Sequence, residues 1–362
     1  FNHIDTGWVG VSSTAQALTA GQGFAAWCGT GLVNTTAFTV DVNGAPNVAQ
    51  SPISRSLNYT NTGSGGVDGF NAVSNPLPSP VLFSSLTLTN VEDYVWIFNP
   101  AAGNMAVWDI SNNSGTLGGN DTIQSSQGFM VQATGAGASI AFEEADKVND
   151  RQGGFFGGSQ QSLFNGVRLK LTSAVNTFSD ETLIAFGYGA AGVDGDDVPK
   201  MTFAHPEAPQ LATRTGNRLF AINAVGENET DLEIPVMVTA AIAGTYTVTA
   251  SDMANIGLTC LVLEDLQTGT ITPLVEGAMY SFAMEAGAST EPRLLLRAST
   301  RVPLYAEGAS CNGLSDGRGT VIHVGEAPMH ITWTDATGAV ILEQNIEGGV
   351  AIHNELAPGI YG

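Results

Sequence analysis

Leu18-Thr19-Ala20-Gly21-Gln22-Gly23-Phe24 and Ile123-Gln124-Ser125-Ser126-Gln127-Gly128-Phe129 are two forms of one phrase. In each, an apolar residue leads through a turn to Gln-Gly-Phe. A strand-like run then follows, Phe38-Thr39-Val40-Asp41-Val42 after the first and Ile140-Ala141-Phe142-Glu143 after the second. Turn residues alternating with short period-2 runs are the mark of β structure, and a repeat of the phrase predicts a duplicated β unit. On that reading Phe24 and Phe129 occupy equivalent buried positions, because the register of a strand is set by the face it buries.

The same pattern holds outward from the two phrases. Apolar stretches are short, alternating and bounded by Gly, Pro, Asn or Asp, as in Tyr94-Val95-Trp96-Ile97-Phe98 before Asn99-Pro100. In Thr245-Tyr246-Thr247-Val248-Thr249 the threonines share one face and the apolar groups the other, as a half-buried strand requires. Helical periodicity is nearly absent. The expected class is therefore all-β, built of tandem antiparallel β-sandwich domains of jelly-roll or Ig-like kind.

Composition changes and glycine runs divide the chain. Residues 1–160 form the duplicated module, with units at about 1–60 and 66–150, and Gly153-Gly154-Phe155-Phe156-Gly157-Gly158 marks its exit as a linker. Residues 161–300 carry seven strand-like runs, which suit one antiparallel sandwich. Residues 303–362 suffice for a small Ig-like module, with Trp333 as a core anchor. The ends, Phe1 and Gly362, read as cuts within something larger.

The chain has 362 residues, of which 13% are charged, with Lys+Arg 12 against Asp+Glu 34 and a formal net charge of −22. Such a surface repels phosphate, so nucleic acid is not an expected partner. No apolar run reaches the roughly 18 residues needed to span a bilayer, so membrane insertion is not expected either. Three cysteines, Cys28, Cys260 and Cys311, provide no disulfide framework and no metal spacing. Cys260 reads as a small core hydrophobe, unpaired with Cys28.

Catalytic signals are lacking. The five histidines show no i, i+4 pair, and there is no Gly-x-Ser-x-Gly elbow. The reading is of a protein that is not an enzyme, with no catalytic residues assigned. One acidic turn is a candidate cation site: Asp194, Asp196 and Asp197 surround Gly195, and Ca²⁺ takes several converging oxygens. A solvated turn without metal is the competing reading of the same residues. Trp8, Trp27, Trp96 and Trp108 are candidate platforms for sugar rings or, alternatively, core side chains.

Several stretches resemble known modules. Gly69-Phe70-Asn71-Ala72-Val73-Ser74-Asn75-Pro76-Leu77-Pro78-Ser79-Pro80, then Tyr94-Val95-Trp96 and Gln127-Gly128-Phe129, resemble a β module of large surface proteins of the phylum Bacteroidota exported by type IX secretion. Phe70 and Ser74 stand where that module carries Trp and Gly. Asp180-Glu181-Thr182, the stretch from Gly192 to Lys200, Leu263-Glu264-Asp265-Leu266 with Thr268-Gly269, and Tyr280-Ser281-Phe282 are similar to the sandwich that follows it. Cys311-Asn312-Gly313, Asp316-Gly317, Thr332-Trp333 and Pro358-Gly359-Ile360-Tyr361 resemble the repeat of SprB-type gliding adhesins. Leu356 to Tyr361 also fits a type IX sorting domain, while the Cys311 and Asp316-Gly317 marks favour the adhesin repeat.

The resemblance implies a secreted or cell-surface adhesin fragment. Its expected partners are the type IX secretion machinery and a surface glycan or protein ligand, with self-association as a further expectation. The alternatives are a filament or surface-coat subunit, and a carbohydrate-binding appendage of a secreted enzyme. Asp121-Thr122-Ile123 resembles the O-glycosylation acceptor of the same phylum, which makes Thr122 a candidate glycan site, expected in an exposed turn.

Overall fold

The computed structural model describes residues 13, 15–25, 44–59, 61–62, 68–149, 165–188, 192–226, 231–253, 260–287, 290–299, 304–307, 317–323, 328–347 and 349–356. The fold is all-β. Two single 3₁₀ turns, Phe83–Ser85 and Glu144–Asp146, are the only helical elements among the described residues. No helix among them is long and apolar enough to cross a membrane. The chain divides into two compact units, one of residues 1–162 with 201–204, the other of residues 163–200 with 205–362.

The first unit is built on a five-stranded antiparallel sheet in the order Phe70–Ser74, Gly128–Gln132, Tyr94–Asn99, Asn104–Asp109, Ser114–Thr116. One face projects Val73, Phe129, Val131, Val95, Ile97 and Trp108 into a core that Ile140 and Phe142 complete. These last two come from a three-stranded sheet in the order Ile53–Ser56, Ser139–Phe142, Thr87–Thr89. The opposite face of the five-stranded sheet is buried as well. There Trp96 meets Phe70 and Tyr94 at ring distances of 5.1 and 5.0 Å. Burial on both faces explains why Tyr94-Val95-Trp96-Ile97 is a continuous apolar run.

The two Gln-Gly-Phe phrases are not equivalent. Gly128–Gln132 is a full strand on one side of Phe70–Ser74, with Phe129 opposite Val73. The first phrase reaches the other side of that same strand through a single bridge, Gln22 to Val73. Gly23 comes so close there that a Cβ would stand 2.6 Å from the Val73 nitrogen. Phe24 is 61% exposed while Phe129 is 3% exposed, so the expected equivalence of the two rings does not hold. An edge contact of one residue pair cannot orient the following side chain as a complete ladder does. The run Phe38 to Val42 lies outside the described residues.

The second unit holds a continuous sheet in the order Thr270–Pro273, Cys260–Asp265, Leu294–Ser299, Asp231–Thr239, Gln210–Thr215, Arg218–Val225, Ser179–Phe186, Gly166–Ser173, Gly244–Ser251, Met279–Met284. The short strand Val198–Pro199 adds to Arg218–Val225. Neighbours in this sheet pair antiparallel, as expected of the segment, except that Ser179–Phe186 runs parallel to Arg218–Val225, with Leu183 opposite Ile222. The two strands are not consecutive, since Val198–Pro199 and Gln210–Thr215 come between them in the chain, and a parallel pair needs a crossover connection of that kind. The sheet curls so that Leu169, Leu171, Ile184, Val236, Tyr246 and Leu296, drawn from strands far apart in its order, share one core.

Two smaller sheets follow. Gly317–His323 lies between Leu304–Glu307 and Gly349–Leu356, and Met329–Thr334 forms a hairpin with Val340–Ile346. Trp333 is buried with Val321, Ile331 and Ala351, as the sequence leads one to expect of a core anchor. Gly319 is required beneath it, since a Cβ there would stand 2.5 Å from Trp333 Cζ3.

Candidate functional site

The acidic turn closes on its own backbone. Asp194 Oδ1 accepts the Asp196 N–H at 2.9 Å, and Asp197 Oδ2 accepts the Asp194 N–H at 3.1 Å. Asp197 Oδ1 accepts the Ala224 N–H at 2.9 Å, which fastens the turn to the Arg218–Val225 strand. Both Asp197 oxygens are therefore taken by amide donors, and its side chain is buried. Burial, against the opposing amide hydrogen bonds, pushes this carboxyl up to about 6. The left-handed backbone of the loop is at Gly192, φ +94°, and not at Gly195. Among the described residues no group of three or more His, Cys, Asp or Glu side chains is placed to hold a metal ion. Asp194 Oδ1 and both Asp197 oxygens thus hold the turn's backbone.

Beside this turn lies the concave feature that sequence reasoning missed. Gln210–Thr215 and Asp231–Thr239 stay paired as far as Thr213 opposite Val236. The next residue along the second strand is Pro235, which has no N–H to continue the ladder. The two strands separate there, and a groove of about 300 Å³ opens. Arg214, Thr215, Asn223, Val225, Leu232 and Glu233 are among its lining residues, as is Gly192. Arg214 Nη1 donates to the Thr290 carbonyl at 2.8 Å. Arg297 ties Glu233 to Glu264, whose Oε2 accepts from Nε at 2.7 Å. A proline inside a run of strand residues was the available signal, but its effect depends on which strand lies alongside.

Thr122 is not in an exposed turn. It opens the strand Thr122–Ile123, paired with Val81–Leu82, and is 7% exposed. Asp121 is held by Ser84, whose N–H donates to Oδ1 at 2.8 Å and whose hydroxyl donates to Oδ2 at 2.5 Å. The Gly118-Gly119-Asn120 turn does not hold Thr122 out in solvent, because Asn120 is itself buried and its Oδ1 accepts the Thr122 N–H at 2.9 Å. A glycan on Thr122 would need a chain that has not yet closed this sheet.

Trp96 and Trp108 are core residues and present no face to a sugar. Trp8 and Trp27 lie outside the described residues, as do Cys28 and Cys311. Cys260 begins the strand Cys260–Asp265, opposite Ser299.

The polar residues that carry the family resemblance hold turns and strands together. Asn75, buried, donates its amide to the carbonyls of Ser79 (2.9 Å), Ile123 (3.2 Å) and Gln124 (3.2 Å), and its Oδ1 accepts the Leu77 N–H at 2.9 Å. Asp265, fully buried, accepts from Tyr280, Arg293 and the Gln267 N–H. Asp180, at 0% exposure, meets Lys200, whose side chain is 4% exposed. Comparison of the chain with protein-family models, with curated proteins and with solved structures finds no match.

Proposed function

We propose that this chain is a non-catalytic β-domain fragment of a secreted or cell-surface adhesin, exported by type IX secretion, that presents binding surfaces on rigid sandwiches. The observation that carries this reading is the placement of Asn75, Asp180, Lys200 and Asp265. Each is a buried fastener of backbone or of another side chain, so what the chain shares with the surface modules it resembles is a scaffold. A scaffold preserved by its fasteners leaves loops and concave faces to vary with the ligand.

The groove beside Pro235 is the place in the second unit where such a ligand would dock, a surface glycan or a protein segment. Its mixed lining of Arg214, Thr215, Glu233 and Asn223 suits a polar ligand. The test is binding of the purified chain to arrays of surface glycans and to intact cells, with Arg214→Ala and Asn223→Ala beside the wild type. Saturable binding weakened at least tenfold by either substitution supports the reading. Saturable binding untouched by both moves the ligand elsewhere on the scaffold, and hydrolysis of any arrayed glycan overturns the non-catalytic assignment.

One observation favours a second reading, a filament or coat subunit. Thr270–Pro273 and Met279–Met284 end the order of the large sheet, and Met279 on the latter is exposed. Strand edges of this kind pair with other chains unless they are protected. Sedimentation that rises in a concentration-dependent way to high oligomers would select this reading over the dispersed adhesin.

A further inference from the structure

We propose that Lys200 and Asp180 become joined by an intramolecular isopeptide bond, formed by the folded second unit without any other reactant. Lys200 Nζ lies 2.5 Å from Asp180 Oδ1, and neither side chain has appreciable access to water. The oxygen that the amine touches is bonded to the carbon it would attack, so the fold already brings the reacting groups together and lowers the entropic part of the barrier.

The surroundings favour the reaction over a persistent ion pair. Asp180 stands opposite Leu171 in the ladder, and Leu171, Leu211 and Ile184 are all buried in the core of this unit. In so dry a place a charged pair is costly, and passing one proton from the ammonium to the carboxylate gives a neutral amine beside a neutral acid. Burial drives the Asp180 carboxyl up, against the attraction of Lys200 and the amide hydrogen bonds. Two backbone donors complete the arrangement: the Leu211 N–H reaches Oδ2 at 2.6 Å and the Glu181 N–H reaches Oδ1 at 2.9 Å. Oδ2, at which the Leu211 amide is aimed, is where the negative charge of a tetrahedral adduct would gather.

The step balances within the pair. The Nζ lone pair attacks Asp180 Cγ, a C–N bond forms, and the Cγ–Oδ1 bond breaks. Oδ1 departs as water carrying the carboxyl proton and one proton from the amine, and no oxidant or reductant is involved. The product ties Lys200, just beyond the strand Val198–Pro199, to the central strand Ser179–Phe186. It thereby closes the segment containing the Asp194–Asp197 turn into a covalent ring, which constrains the unfolded chain as a disulfide does without depending on redox conditions.

Intact-mass measurement on the denatured full chain is the test. The expected mass is that of the sequence less one water, with a single branched peptide containing both Asp180 and Lys200 after proteolysis and no tryptic cleavage at Lys200. Lys200→Arg, which cannot form the bond, should show the full mass. A wild-type chain at full mass overturns the proposal and leaves a buried ion pair. A missing water that persists in Lys200→Arg, or that maps to an Asp-Gly site such as Asp194-Gly195, overturns it as well. The wild-type measurement decides the matter even if the variant does not fold.

Discussion

The Tyr280 hydroxyl donates to Asp265 Oδ2 at 2.6 Å, and Arg293 Nη2 donates to the same oxygen at 2.7 Å. Burial alone would push the Asp265 carboxyl up, but the hydrogen bonds from Arg293, Tyr280 and the Gln267 N–H, with the Arg293 charge, outweigh it and hold the carboxyl below its ordinary value. Asp265→Ala leaves the guanidinium buried without its partner and is expected to cost about 3–5 kcal/mol, read from urea unfolding. Since a depressed carboxyl contributes stability above its unfolded value of 3.8, that contribution should fade as the pH drops below about 4. A loss under about 1 kcal/mol would show that the cluster is not fastening the Cys260–Asp265 strand to its neighbours.

Asp109 has the opposite sign. Burial first, then the nearby charge of Asp93, push it up to about 7 against the hydrogen bonds of Asn112 and Ser111. The unfolded carboxyl ionises from about 3.8 upward while the folded one keeps its proton, so the wild type loses stability as the pH rises through that interval and levels off above about 7. Asp109→Asn lacks this loss. Its melting temperature relative to wild type should therefore rise between pH 4 and pH 8, and parallel curves would contradict the assignment.

Gly69→Ala should destabilise the first unit by roughly 2–5 kcal/mol. Gly69 has φ +83°, and a Cβ there would stand 2.1 Å from the Ala133 carbonyl oxygen. That carbonyl lies at the end of the Phe70–Gln132 pairing, where the Ala133 N–H donates to the Gly69 oxygen at 2.7 Å. Chemical denaturation of the variant measures the effect, and a change within about 0.5 kcal/mol would mean the turn relaxes freely.

Calcium at millimolar concentration should leave the melting temperature unchanged. A loop-bound ion would raise it by mass action, by about 2.7 kcal/mol at a hundred times its dissociation constant. Among the described residues no three carboxylates are placed to share an ion, and both Asp197 oxygens accept amide hydrogens, so no such gain is expected of the Asp194–Asp197 turn. A saturable rise abolished by Asp194→Asn would reverse this.

Strand content was legible in the amino-acid order because a strand's period of two is local. Thr245 to Thr249 alternates in sequence, and in the structure Tyr246 and Val248 point into the core. Trp333 could be read as an anchor for the same reason, being a large apolar group in an alternating run. Pairing partners and the covering of faces are not local. Phe24 and Phe129 follow the same tripeptide, yet one is exposed and one is core, since only the second lies in a full ladder. The parallel alignment of Leu183 with Ile222, the groove that opens at Pro235, the burial of Thr122 and the meeting of Lys200 with Asp180 likewise depend on which distant segment lies alongside. The sequence by itself determined the β class seen across the described residues and the local turn signals between strands, because backbone geometry and turn chemistry act over a few residues. The tertiary structure decided which of its polar and aromatic side chains are buried together, because burial is a property of neighbours that the chain brings from far away.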